Sequence, residues 1–152
     1  MEGEAHRGLT PPAFFLAGLL AVVVLAAAMP GGIPNGPLFD VAGVTFILIG
    51  IWLNLRGSGQ FEDAGRPIRP GRRGGTLVTD GVFQLSRNPM YLGMAAALLG
   101  SALALGSAVA LVVTLLFAAV IDRGFIAMEE RILEEEFGDA YRAYRRRVRR
   151  WI

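Results

Sequence analysis

The sequence contains no cysteine. That excludes a disulfide framework, a thiolate nucleophile and a metal held by cysteine. Its single histidine, His6, lies outside every apolar run, so neither a histidine metal site nor a histidine general base falls within those runs. Lysine is absent too: all 15 basic residues are arginine, against 13 acidic residues. The net charge of only +2 gives no bulk attraction to nucleic acid. Charge is scarcest in the long apolar runs. Of 152 residues, 53% are hydrophobic, and the mean hydropathy is +0.48. A soluble domain of this size rarely carries so much apolar sequence in uncharged runs. The length allows one domain, residues 1–152.

The runs read as four membrane spans. Residues 1–11 are polar and expected to be poorly ordered. Pro12 to Met29 has the length needed to cross a bilayer. Its rival reading is a cleaved signal peptide, with Ala26-Ala27-Ala28 as cleavage site, but Glu2 and Glu4 beside Arg7 argue against that. An uncharged turn over Pro30–Pro37 leads to a second span, Leu38 to Leu55. Gly43, Gly50 and Gly57 recur on one face of it, where small residues let helix backbones approach closely in lipid. Residues Arg56 to Arg73 form a polar, arginine-rich loop broken by Pro67 and Pro70, with a short helix expected at Phe61-Glu62-Asp63. The third span runs from Asn88 to Leu105 with a stripe of Gly93, Ala97, Gly100 and Ala104. Gly106-Ser107 turns the chain into a fourth span, Ala108 to Asp122, whose helical pattern continues to about Phe137.

In the tail, Phe137, Tyr141, Tyr144, Val148 and Trp151 step by four, three, four and three, which is one helical face. Arginines fill much of the remainder. Such a helix is expected at the membrane interface, against anionic head groups. The two short turns carry no arginine, whereas the N-terminus, central loop and C-terminus carry all of it. The expected fold is therefore all-α and polytopic, with an amphipathic C-terminal helix and both termini in the cytosol. The glycine-rich faces leave room for a homodimer.

The arrangement brings three polar regions to one side of the membrane: the stretch from Gly75 to Gly93, the pair Glu129-Glu130 and the tail. Thr79-Asp80-Gly81 is a turn signal. Ser86 can cap a helix, and Pro89 is well tolerated in a first turn. A helix starting near Asn88 would point free N–H groups and its positive dipole end toward the polar interface. Such a place suits the polar end of a ligand whose co-reactant is dissolved in lipid.

Four motifs carry a resemblance: Leu77-Val78-Thr79-x-Gly81, Arg87-x-Pro89-x-Tyr91-x-Gly93, Glu129-Glu130, and Phe137-Gly138-x-x-Tyr141-x-x-Tyr144. In this order the C-terminal half, from about Gly75, resembles the isoprenylcysteine carboxyl methyltransferases. Those are integral-membrane enzymes that use S-adenosylmethionine and are related to phospholipid methyltransferases. The resemblance implies cofactor contacts from Gly75, Thr76, Leu77, Val78, Gly81, Phe83, Asn88, Pro89, Tyr91, Glu129 and Glu130, with the cofactor-contacting glutamate falling on Glu129. It implies catalytic roles for Arg87, Asn88 and Glu129, and S-adenosylhomocysteine as product.

Several positions depart from the family pattern. Asn88 and Gly75 stand where histidine is usual, and Phe83 stands where tyrosine is usual. Phe125 falls near the place of a substrate-orienting arginine, for which Arg123 is the nearest candidate.

Each residue also has a plainer reading. Arg87 can bind a carboxylate bidentately or simply anchor topology. Asn88 can offer its amide or cap the helix. Tyr91 and Phe83 can wall an adenine slot, or be interfacial aromatics. The glutamates can be functional or form a solvated face with Glu134, Glu135 and Glu136.

The combined expectation is direct methyl transfer, without a metal or covalent intermediate, to a lipophilic or amphipathic acceptor: a carboxylate, a thiol or a lipid amine. The acceptor would arrive from the bilayer through a gap left by the glycine stripes. A phospholipid amine methyltransferase is the nearest alternative. A nicotinamide-dependent reductase, resembling the much longer membrane sterol reductases, and a non-catalytic membrane scaffold are alternatives from other classes. Nucleic acid is not an expected partner.

Overall fold

The structure is a computed structural model that describes residues 10–34, 36–65 and 75–152. The expected disorder of residues 1–11 falls mainly on residues outside that set, and the loop breaks at Pro67 and Pro70 lie outside it. Helix α1 spans Pro11–Ala28, α2 Pro37–Asp63, α3 Pro89–Ala104 and α4 Ala108–Val120. A π-helical segment, Ile121–Ile126, joins α4 to α5, Ala127–Phe137; α6, Asp139–Arg147, follows. A short 3₁₀ turn at Gly81–Gln84 precedes α3.

Prolines start three of these helices. Pro11, Pro37 and Pro89 occupy first-turn positions, where their missing N–H would have no helical partner. At 27 residues α2 is about 40 Å long, more than the ~30 Å apolar core of a bilayer. The separate helix expected at Phe61-Glu62-Asp63 is the last turn of α2. No proline interrupts Leu55 to Asp63, so helical bonding continues. The fourth helix also continues past Asp122, and the whole stretch Ala108–Phe137 is one apolar rod of 30 residues.

Three of the rods are long and apolar enough to cross a membrane, and α3 is a shorter apolar helix. Their outward faces remain apolar. Leu16, Leu20, Leu38, Val41, Leu55 and Leu115 are all more than 60% exposed. A surface this apolar on several helices requires lipid around it.

The two uncharged turns meet at one end. Ala108 N–H donates to the Gly31 carbonyl at 3.0 Å, and Ile33 N–H to the Gly106 carbonyl at 3.3 Å. Gly32 and Gly106 adopt φ of 89° and 61° in these turns, which glycine does without steric cost. The charged termini of the rods therefore gather at the opposite end.

Helices α2 and α3 lie backbone against backbone. A Cβ at Gly43 would come within 2.7 Å of the Gly100 carbonyl, and one at Gly50 would collide with the Gly93 carbonyl. Asn54 Nδ2 donates to the Met90 carbonyl at 3.0 Å and locks the register. The glycine stripes thus close the α2–α3 interface rather than leaving a gap for an acceptor. In lipid, close packing of small residues drives helix association. On the other side α3 packs on α4 and α1, around Val22, Tyr91, Met94, Leu98, Phe117 and Ile121.

The tail departs from expectation. Gly138, with φ of 50°, breaks the chain between α5 and α6 as its sequence position suggests. However, α6 ends at Arg147 and Val148 is extended, with φ −119° and ψ 132°. Tyr141 and Tyr144 are buried against Leu53, Val78, Val82 and Phe83. The apolar face of α6 has found protein, and its arginines face outward.

Replacing Gly50 by leucine should lower stability by at least ~1–3 kcal/mol, because backbone opposite the site cannot move away. Gly59→Ala on the same helix, where a Cβ meets nothing within 4 Å, should raise it by up to about 1 kcal/mol through helix propensity. Thermal unfolding in detergent separates the two; equal midpoints would contradict the packing.

Candidate functional site

The segment Ser86-Arg87-Asn88 enters the site from the 3₁₀ turn and leaves it as α3. The extended C-terminal residues lie across it. Arg87 N–H donates to the Arg149 carbonyl at 3.0 Å. The Ser86 hydroxyl and Asn88 Nδ2 both donate to the Arg150 carbonyl, each at 3.0 Å. Ser86 Oγ also accepts from Asn88 N–H at 3.0 Å. Asn88 stands at the N-cap of α3 without making a side-chain cap, because its amide is tethered to the tail. The capping expectation for Asn88 is therefore corrected.

Below this strap lies a network of four charges. Arg87 and Glu130 are paired at 3.0 Å, with side chains 9% and 7% exposed. Arg150 reaches the same carboxylate with two nitrogens, Nε to Oε1 at 3.1 Å and Nη2 to Oε2 at 2.5 Å. Its Nη1 bonds both oxygens of Asp122, at 3.2 and 3.1 Å. Trp151 Nε1 donates to Asp122 at 2.9 Å, and Arg87 Nη1 to the Tyr141 hydroxyl at 3.2 Å. Two guanidinium groups thus balance two carboxylates. Hydrogen bonding to Glu130 raises the Arg150 pKa further above its ordinary range. Burial, then Glu130, raises the Tyr141 phenol, with Arg87 opposing. One donor is left over: Arg87 Nε is buried and has no hydrogen-bond partner among the described residues.

Glu129 and Glu130 are neighbours in sequence but about 100° apart around α5. Glu130 enters the network, while Glu129 Oε1 accepts from the Tyr91 hydroxyl at 2.9 Å. Tyr91 is less than one helical turn beyond Asn88. The structure therefore brings Arg87, Asn88, Pro89, Tyr91, Glu129 and Glu130 together.

Gly75 and Thr76 are exposed and Leu77 is half-buried. Val78 and Phe83 are buried in the cluster that holds Tyr141 and Tyr144. This segment joins the network through that cluster. Phe83 is stacked on Phe61, with centroids 5.0 Å apart and planes 11° apart; its carbonyl accepts from the Tyr144 hydroxyl at 2.6 Å. The Phe83 ring thus already has an aromatic neighbour. Gly81, with φ of 55°, turns the chain while Gln60 clamps it, donating to the Asp80 carbonyl at 3.2 Å and accepting from Val82 N–H at 3.1 Å.

Arg123 is exposed and outside the network. Phe125 meets Phe14 of α1 edge-to-face at 5.4 Å. The expected substrate pair is therefore divided between solvent and the α1 interface.

Sequence reasoning missed Asp122, Tyr141, Arg150 and Trp151 as members of the site. Asp122 carried a signal, since a carboxylate at the end of an apolar span needs a partner. Beside the network, an open cleft of about 540 Å³ lies between α5 and α6, lined in part by Glu130, Arg131, Glu134, Arg142, Arg145 and Arg150.

Long apolar rods, uncharged turns at one end and an ion network at the other define an all-α polytopic membrane protein. The family model described as phospholipid methyltransferase matches residues 39–140, two thirds of the sequence, and the chain belongs to that family. An uncharacterized protein of Haemophilus influenzae is 44% identical over 63 residues, covering 41% of this chain and 100% of that protein. Protein-S-isoprenylcysteine O-methyltransferase of Schizosaccharomyces pombe is 41% identical over 75 residues, covering 47% of this chain and 30% of that protein. No solved structure matches.

Removing Glu130 as Glu130→Ala leaves Arg87 buried without its counter-charge and should cost ~3–5 kcal/mol. Glu129→Gln keeps an acceptor for Tyr91 and should cost below ~1.5 kcal/mol. Chemical unfolding in detergent ranks the two, and the reverse order would refute the assignment.

Burial also raises the Tyr144 phenol above its ordinary value of about 10. The folded state then holds that proton more tightly, so this stabilisation is full below about pH 10 and is lost as pH rises beyond it. Tyr144→Phe should lower the thermal midpoint at neutral pH but flatten its fall between about pH 9 and 11. Parallel curves would exclude Tyr144 as the titrating group.

Proposed function

We propose that the protein transfers a methyl group from S-adenosylmethionine to a lipophilic or amphipathic acceptor at the membrane face where its charged end emerges. The observation that carries this reading is the juxtaposition of Glu129, Tyr91 and Asn88 with Arg87, whose buried Nε lacks a partner. A buried unpaired donor in a native fold calls for an acceptor. The residues fit the methyl donor in kind. Arg87 offers N–H to a carboxylate, Glu129 accepts from a diol or an ammonium, and Asn88 carries an amide. Gly75, Thr76, Leu77, Val78, Gly81 and Phe83, on the segment that leads into Arg87, would shape the remaining wall. When bound, S-adenosylmethionine supplies a methyl group already activated on a sulfonium.

The chain's own task is then to hold, orient and exclude water. Arg87 is fixed by Glu130 and Tyr141, so its buried Nε would need no further ordering once a ligand oxygen reached it. Glu129 is oriented by the Tyr91 hydroxyl. Lipid-facing walls on α1, α2 and α4 would let an apolar acceptor approach within the bilayer. Family membership favours a phospholipid amine as acceptor, and the name of the yeast relative points to a prenylated cysteine carboxylate; these are the two leading acceptors. Clustered arginine at the charged end supports a cytosolic placement of that end. Family membership leaves the reductase and scaffold readings without support.

Incubating the purified protein with methyl-labelled donor and total lipid extract should label a lipid or prenylated product, and its identity names the acceptor. Calorimetry with S-adenosylhomocysteine should show binding that Glu129→Ala weakens at least roughly tenfold, with the cost of leaving the Tyr91 hydroxyl unpaired read separately from the thermal midpoint. An unchanged affinity would remove Glu129 from the site; absence of wild-type binding would end the methyltransferase reading.

A further inference from the structure

Arg150 lies outside the residues matched to the family, yet six of the hydrogen bonds at the charged end involve it, four through its guanidinium and two through its carbonyl. Its guanidinium bonds both oxygens of Glu130 and both oxygens of Asp122. Its carbonyl receives Ser86 and Asn88. One residue thus ties the tail to the 86–88 segment, the π-helical segment and α5.

The consequence falls on Arg87. A carboxylate left to itself with a guanidinium prefers two parallel N–H bonds, commonly through Nε and one Nη. Here Glu130 cannot offer that geometry. Arg150 takes Oε2 through Nη2 and shares Oε1 through Nε, so Arg87 reaches Oε1 with Nη1 alone. Its Nε is left buried and without a partner. We propose that Arg150 is a positioning residue: by occupying Glu130, it keeps Arg87 Nε available for an anionic oxygen of the ligand, such as the carboxylate of the methyl donor. This rests on the methyltransferase reading for the identity of the ligand, but not for the state of Arg87.

In Arg150→Gln, Glu130 loses its main partner and captures Arg87 through Nε and Nη together. The ligand then loses a charge-assisted donor. The Kd for S-adenosylhomocysteine should rise roughly tenfold or more. Removing the competing carboxylate as well, in Arg150→Gln/Glu130→Gln, should recover most of that affinity, although the double variant is less stable than either parent. Arg150→Lys, which cannot fork across two carboxylates, should fall between the wild type and Arg150→Gln.

Two measurements test this. Calorimetry with S-adenosylhomocysteine reads the cycle: recovery in the double variant supports the proposal, and losses that simply add overturn it. Nitrogen-15 arginine spectra of the ligand-free protein in detergent read Arg87 directly, its Nε–H signal being assigned by its disappearance in Arg87→Lys. That signal should move downfield in Arg150→Gln as the donor engages Glu130; an unmoved signal overturns the proposal. If the wild type binds no S-adenosylhomocysteine, the methyltransferase reading fails, and the spectra alone still decide whether Arg150 governs Arg87.

Discussion

The Glu130 carboxylate is almost wholly removed from water and held between two guanidinium groups. A carboxylate in that position is tolerated only when its charge and its lone pairs are both met. Arg87 comes from the start of α3, Arg150 from the end of the chain, and Glu130 from α5. No two of these segments can settle correctly without the third. The network therefore specifies the charged end of the molecule in a way that lipid-facing side chains cannot, because lipid does not distinguish one apolar surface from another.

The network in turn depends on how α3 is carried. Gly43 and Gly50 meet Gly100 and Gly93 across a backbone-to-backbone contact, and the register so fixed sets the height at which Arg87, Asn88 and Tyr91 leave the bundle. On the far side the π-helical turn at Ile121–Ile126 matters for the same reason. Its wider turn offsets the faces of α4 and α5. Asp122 reaches Arg150 and Trp151 while Glu129 still reaches Tyr91. Such insertions within α-helices are frequent at functional sites.

The rods were legible in the sequence because a bilayer demands length and apolarity, and both are countable. The uncharged turns and the glycine stripes were legible for related reasons. What the stripes do was not: small residues permit either close approach or open space, and only the facing helix decides. At the site, residue types were legible and partners were not. Arg87 could be read as a carboxylate binder, but its first carboxylate is Glu130, 43 positions later in the sequence. Arg150 is one of 15 arginines, in a run whose spacing gives no reason to single it out. The tail's aromatic face was legible as a face. Whether it met lipid or protein depended on the cluster around Phe83 and Val78, half a chain away.

The two adjacent glutamates are turned to different partners on one helix. A turn of about 100° per residue sends Glu130 toward the arginines and Glu129 toward α3. Glu130, with both oxygens occupied by arginine, has little left to offer a ligand. Glu129 has the Tyr91 hydroxyl among its partners, a bond that fixes one of its oxygens on the α3 side. Arg87 shows the complementary division within a single group: one nitrogen is anchored and another is without a partner. The charged end thus holds one guanidinium anchored on Glu130 and two carboxylates turned to different partners, at the edge of an apolar bundle.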